Sequence, residues 1–237
     1  DIGAVEEAEE YIKMVPTGKL PFLATSCCPS WIMMAKQQFP EIANCISDSM
    51  TPMVATARII KEKHPSARVV FIGPCASKKL EAMRADIRTD VDFVITFEEL
   101  MGIFQANGIE FSDLQDDTGF NHGATASGRG YGIAGGVAKA VTDCIREIAP
   151  ELGEIKTDHA EGLVDCRKML TLAKLGKRNG YLLEGMACPG GCVGGAGTLT
   201  SIPKAVKAGQ DFAEQAEYKI STQDETVFEK LGKYTQK

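Results

Sequence analysis

No stretch of the 237-residue chain runs for about 18 apolar residues, so nothing in it reads as a membrane-spanning helix. The basic-then-apolar opening of a secretory leader is also missing, because the first ten residues, DIGAVEEAEE, are acidic. Positive charge is not in excess. With 26 Lys and Arg against 32 Asp and Glu, the formal charge of −6 gives no electrostatic reason to expect nucleic acid or an anionic membrane surface as partner. A water-soluble, cytoplasmic protein is the expectation. There is no internal repeat, no low-complexity tract and no GxxxxGK[ST] phosphate loop. What is present is enough apolar material, 44% of the residues, to fill the core of one large domain or two small ones.

Short apolar runs at 20–25 (LPFLAT), 68–73 (RVVFIG), 91–96 (VDFVIT) and 180–185 (GYLLEG) predict strands. Segments of helical period lie near 4–14, 31–38, 51–64, 97–107, 136–149, 163–175 and 224–233. Strand, loop and helix alternate, which predicts an α/β fold of mostly parallel sheet flanked by helices. In such folds the loops after the strand C-termini gather on one edge, where ligands bind. TSCCPSW, GPCASKK and MACPGGCVGG are three such loops, and they are expected to meet. The polar stretch 112–132 and the tail after Pro203 read as irregular. Glycines in the first of these, with AGG at 134–136 opening a helix, would allow close backbone approach to a cofactor.

Eight cysteines are too many for ordinary core packing and too unevenly placed for a secreted disulfide scaffold. Cys45, Cys144 and Cys166 fall in helix-like surroundings and read as small buried hydrophobes. Cys28, Cys75, Cys188 and Cys192 sit in Gly/Pro-rich turns, which can aim several thiolates at one point. The four-residue step from Cys188 to Cys192 rules out a CxxC redox dithiol. Four thiolates suit either a cubane iron–sulfur cluster or a closed zinc site, and the surrounding glycines favour the bulkier cluster. Cys27 and Cys28 are adjacent and can hardly bond each other, so the pair needs two separate jobs.

TSCCPSW, GPCASKKLE and EGMACPGGCVGG resemble, in order and spacing, the three signature loops of the iron-only (FeFe) hydrogenases. The resemblance covers nearly the whole chain and implies a single catalytic domain over residues 1–237. It implies an H-cluster, a 4Fe–4S cubane bridged by cysteine to a diiron unit carrying CO, cyanide and an azadithiolate. Cys28, Cys75 and Cys188 would then be cubane ligands and Cys192 the bridging ligand. Cys27 would carry protons between the diiron amine and the protein, a role that suits a thiol of ordinary pKa about 8.5. Lys78 would hydrogen-bond a cyanide, with Ser77 or backbone groups nearby for the other, and Met186 would pack against the bridging CO. Glu81 would pair with Lys78 or cap its loop, while Lys79 reads as a solvated neighbour.

The resemblance also implies a relay from the thiol to solvent, and ungapped alignment from Cys27 places it at Glu7, Ser47 and Glu10. The two glutamates are i, i+3 on the first helix and so share a face, although helix-dipole complementarity alone would also place acidic residues there. This chain departs from the family pattern at Gly73, at GGAGTLT (194–200) and at Tyr131, which replaces a phenylalanine near the cofactor. The segment that starts the catalytic domain in the family, and the ferredoxin-like modules before it, lie outside the sequence. A ferredoxin-type electron donor, an upstream iron–sulfur domain or a second chain is therefore expected as partner, with H2 and protons as substrates. Anaerobic, reversible reduction of protons is the expected activity. The alternatives are slow hydrogen sensing, which the divergent third loop would suit, and a non-catalytic iron–sulfur relative.

Overall fold

The computed structural model describes residues 1–115 and 123–223. Its described elements are α1 (Ile2–Met14), β1 (Leu23–Ala24), α2 (Pro29–Gln38), α3 (Pro52–Lys63), β2 (Val70–Gly73), α4 (Ser77–Ala82), β3 (Phe93–Thr96), α5 (Phe97–Ala106), α6 (Ala126–Gly130), α7 (Gly136–Ile148), β4 (Lys156–Glu161), α8 (Leu163–Lys174), β5 (Tyr181–Met186) and α9 (Ile202–Glu214). The fold is α/β. Its strands form two sheets, both parallel: β1–β5–β4 and β2–β3.

Strands β1 and β5 of the three-stranded sheet are covered on both faces. Leu182 and Leu183 are consecutive in β5 and both fully buried, as expected for a parallel strand packed between two helical layers. On one side lies α7, which brings Val137, Val141 and Ile145 inward and packs on α1 through Ala4 and Ala8. Opposite it lie α2, with fully buried Trp31, and α8, with Leu170.

The two-stranded sheet pairs Val70 with Phe93 and Ile72 with Ile95, with Phe71 and Val94 on the other face. That second face packs on Met53, Val54 and Ala57 of α3 and on Ile87 and Val91. Helix α5 follows β3 directly. Thr96 caps it by accepting from Glu99 N–H, and Glu99 Oε2 accepts in return from Thr96 N–H, a reciprocal pair that satisfies two otherwise orphaned donors.

Three readings need correction. The strand Lys156–Glu161 was not expected, because KTDHAE is polar and only Ala160 in it is buried. The tail expected to be irregular after Pro203 begins as a helix: Pro203 stands in the first turn of α9, where its missing N–H has no helical partner to lose. Part of 112–132 is ordered as α6, capped by Thr125 accepting from Gly128 N–H; residues 116–122 and the helix expected at 224–233 lie outside the described residues. No described helix is long and apolar enough to cross a membrane.

Candidate functional site

The three cysteine loops start from two different sheets and still converge. The first follows β1, the third follows β5, its partner, and the second follows β2. Loops two and three are tied where Gly197 N–H donates to Pro74 C=O at 2.8 Å. Gly195 passes so close that a Cβ there would stand 2.5 Å from the same carbonyl oxygen. Loops one and two are tied by Lys78, whose Nζ reaches Cys27 C=O at 3.4 Å, and by a hydroxyl contact between Ser30 and Ser77.

Cys28 is the N-cap of α2, with Pro29 behind it in the first turn. Cys75 lies in the turn between β2 and α4, and Cys188 and Cys192 flank Pro189, Gly190 and Gly191. Gly191 has φ 87°, and a Cβ on it would meet Ala134 N at 2.5 Å. That turn therefore requires glycine.

The four thiols feel one another. Burial, then Cys28 and Cys75, raise the Cys188 thiol above its ordinary value. Burial, again reinforced by Cys28 and Cys75, pushes Cys192 up to about 12, with Lys78 opposing. All eight cysteines are free. Among the described residues, no group of three or more Cys, His, Asp or Glu stands close enough to hold one metal ion. A single zinc would need sulfurs within about 2.3 Å of one point, whereas in a cubane each thiolate binds a different iron and the sulfurs stand wider apart. The donor set fits such a cluster: burial and the neighbouring thiols raise Cys188 and Cys192, and a cationic centre among the four would offset both.

Beside them Cys27 is buried. Burial first, then the charges of Glu7 and Cys192, hold its thiol well above the ordinary range. Glu7 is 1% exposed, and burial raises its carboxyl to about 7 against the lowering effect of Ser26. Its Oε1 accepts from Ser26 N–H at 2.6 Å, while Oε2 is buried with no hydrogen-bond partner. Ser47 Oγ donates to Glu10 Oε2 at 2.6 Å. Between the two glutamates stand Ser26 and Ser49. Ser26 Oγ lies 3.1 Å from Glu7 Oε1 and 2.8 Å from Ser49 C=O, and Ser49 reaches both Ser47 Oγ and Glu10 Oε2. Glu7 thus bonds Ser26 rather than Ser47.

Lys78 is buried and paired with Glu81 at 2.6 Å. Lys79 is not simply solvated: its Nζ bonds both oxygens of Glu99 at 2.8 Å, which ties the loop after β2 to the cap of α5. Met186 is buried at the end of β5. Tyr131 is partly buried over α1, where a Cβ on Gly3 would meet its hydroxyl at 3.3 Å; burial and then Glu7 and Cys27 hold its phenol well above the ordinary range. Cys45, Cys144 and Cys166 are buried, Cys166 with its Sγ 3.4 Å from Met186 C=O. An apolar groove of about 690 Å³ opens beside Cys192, lined by Phe97, Phe104, Phe111, Val193 and Phe212. Sequence reasoning missed Ser26, Ser49 and Glu184. Ser26 is adjacent to Cys27 and Glu184 opens EGMACPGGCVGG, either of which could have drawn attention to it; Ser49 lies in no pattern that points to this pocket.

Fold and pocket together define an α/β protein in which three strand-end loops bring together a set of buried and half-buried thiols. The family model described as iron only hydrogenase large subunit, C-terminal domain, matches residues 1–196, and the chain belongs to that family. It is 29% identical to iron hydrogenase 1 of Clostridium pasteurianum over 86% of this chain and 42% of that protein. It is 28% identical to the cytosolic Fe-S cluster assembly factor narfl of Danio rerio over 84% of this chain and 58% of that one. The fold matches a solved [FeFe]-hydrogenase of Chlamydomonas reinhardtii with TM-score 0.71 at 23% identity, covering 100% of this chain and 78% of that one. The chain thus spans less than half the length of the Clostridium relative.

Proposed function

We propose that this chain is the cofactor-holding part of a hydrogenase that interconverts protons and H2. The observation that carries the reading is the convergence of three loops that bear four cysteines, with a fifth thiol, Cys27, and a buried carboxyl, Glu7, alongside. When bound, an H-cluster would supply reversible heterolytic H2 cleavage and storage of the electrons. Cys28, Cys75, Cys188 and Cys192 would hold it as thiolates. Lys78, oriented by its ion pair with Glu81, presents its Nζ on the pocket side of the second loop, suited to an anionic diatomic ligand. Met186 and Tyr131 shape the wall.

Proton movement falls to this chain's own groups. Cys27 Sγ gives or takes the proton at the pocket. Glu7, at about 7, is close to balanced between its two forms at neutral pH, which is the condition for efficient transfer in both directions. Its unpartnered Oε2 is free to meet the thiol, and Ser26 Oγ reaches the Ser49 carbonyl; beyond it the Ser49 and Ser47 hydroxyls both bond Glu10 Oε2, so a turn of the Ser49 hydroxyl toward Ser26 would complete the path to Glu10. A ferredoxin-type donor, or an iron–sulfur domain upstream or on another chain, is the electron partner this reading requires.

A non-catalytic iron–sulfur role is the second reading, and the similarity to the zebrafish assembly factor favours it. One experiment separates them. The chain is reconstituted with iron and sulfide, then loaded with a synthetic diiron precursor; carbonyl and cyanide infrared bands together with H2 evolution under saturating reductant are expected. Replacing Cys27 by Ala should keep the bands and cut turnover at least about 100-fold, the usual share of a positioned acid–base group. Iron uptake without the bands would transfer the case to the second reading.

A further inference from the structure

We infer that Glu184, which the proposed proton route does not use, is a positioning residue: it ties the N-terminus of α7 to β5 and so holds the strap 132–134 against the loop of Cys188 and Cys192. The chemistry assigned to that loop rests on the hydrogenase reading; the tie itself does not.

Glu184 is 1% exposed, and each of its oxygens takes one α7 amide. Oε1 accepts from Gly135 N–H and Oε2 from Ala138 N–H, both at 2.7 Å. Helices normally begin with a local Ser, Thr, Asp or Asn whose side chain bonds the first free amides. Here the N-cap is Gly135, which has no side chain, and the cap arrives from a strand far along the chain. A local cap would satisfy the helix equally well. A distant one also fixes where the helix start sits relative to β5, at the cost of burying a carboxylate.

The residues just before α7 form the strap. Ile133 bridges Gly191 in antiparallel fashion, Ala134 N–H donates to Gly190 C=O at 3.2 Å, and Val193 N–H donates to Gly132 C=O at 3.1 Å. A Cβ on Gly191 would lie 2.5 Å from Ala134 N and 2.7 Å from Gly132 O, so strap and loop touch main chain to main chain. The path is therefore continuous: β5, carboxylate, first turn of α7, strap, loop. Both ends of the turn that carries Cys188 and Cys192 are then referred to one strand, covalently at Met186 and through Glu184 at Gly190–Val193. His159 stands opposite Glu184 in the β4–β5 register, and its imidazole lies against Gly135, closing the outer side of the same junction.

Replacing the carboxylate by an amide tests this at constant size. Glutamine offers one acceptor and turns an N–H2 toward a backbone donor, so one of the two bonds is lost. In Glu184→Gln, hydrogen exchange at Gly135 and Ala138 should speed up, and exchange at Ala134 and Val193 should speed up with it by roughly tenfold, while amides of β2 stay unchanged. After reconstitution with iron and sulfide, the electron paramagnetic resonance signal of the reduced cluster should broaden relative to wild type, which a simple loss of global stability would not produce. Faster exchange confined to Gly135 and Ala138 would make Glu184 a helix cap only and overturn the inference. Should the variant fail to fold, the wild-type chain serves instead. Exchange measured across low denaturant must show Gly135, Ala138, Ala134 and Val193 opening as one unit, and independent opening would overturn the tie. A wild-type chain that takes up no iron defeats the hydrogenase reading and leaves these exchange results standing.

Discussion

The two parallel sheets of this protein are finished to different degrees. Around β1 and β5 both faces are closed, by α1 and α7 on one side and α2 and α8 on the other, and consecutive residues of β5 vanish from solvent. Around β2–β3 one face rests on α3, but Val70, Ile72 and Phe93 stand open on the other, Phe93 at 62% exposure. Helix α5 is rich in large apolar residues and buries none of them. Parallel sheets are ordinarily covered on both faces, so the first lobe stands on its own contacts while the second shows an apolar surface that, among the described residues, stays exposed. The site spans this divide: Cys27, Cys28, Cys188 and Cys192 belong to the closed lobe, Cys75 and Lys78 to the open one.

The largest effect that could break the comparison comes from matched truncations. Leu182→Ala removes a fully buried side chain between two helical layers and should cost about 2–5 kcal/mol. Ile72→Ala, at 46% exposure, should cost less than about 1 kcal/mol in the same denaturant titration. An equal loss at both positions would show that the open face is covered in solution.

Next in size is a pH effect, which contrasts the carboxylates of the two lobes. In the closed lobe burial raises Glu7 from 4.5 to about 7. In the open lobe Lys61, then Val69 N–H and Arg68, hold Asp92 well below the usual carboxylate range. The signs are opposite. Asp92 adds stability that is present above its unfolded pKa and lost on acidification. Glu7 binds its proton more tightly in the folded chain, so its stabilising share is complete below 4.5 and disappears as pH rises through 7. A shift of this size corresponds to about 3 kcal/mol. The cluster-free wild type should therefore lose stability between pH 5 and 8 relative to Glu7→Gln, by that order, in urea unfolding followed across the range. Parallel profiles would mean that Glu7 titrates normally.

The closed lobe was also the more legible from sequence. LPFLAT and GYLLEG mark β1 and β5 because buried parallel strands are continuously apolar, although only Leu23 and Ala24 of the first pair in the sheet. Edge strand β4 escaped because KTDHAE carries no apolar run; its place is set by pairing with β5, which is tertiary information. Helix α9 escaped because Pro203 reads as a breaker, yet at the first turn it is a start signal. The thiols of the site were legible since the loops carry their own glycine and proline punctuation. Their supports were not. Glu7 meets Ser26, Glu10 meets Ser49 and Glu184 meets the α7 amides across long separations that no local pattern encodes. Lys79 was misread for the same reason, its partner Glu99 being on another helix.

The smallest expected effect sharpens the comparison most directly. Phe93→Ser takes the most exposed large side chain off the open sheet face, beside Val70 and Ile72. If that face is bare, little packing is lost, and the unfolding free energy should move by no more than about 0.5 kcal/mol. Breaking up a contiguous apolar patch should at the same time raise solubility, read as light scattering against concentration. A serine that leaves scattering unchanged but costs well over about 1 kcal/mol would mean that Phe93 is packed against something, and the second lobe would then be as closed as the first.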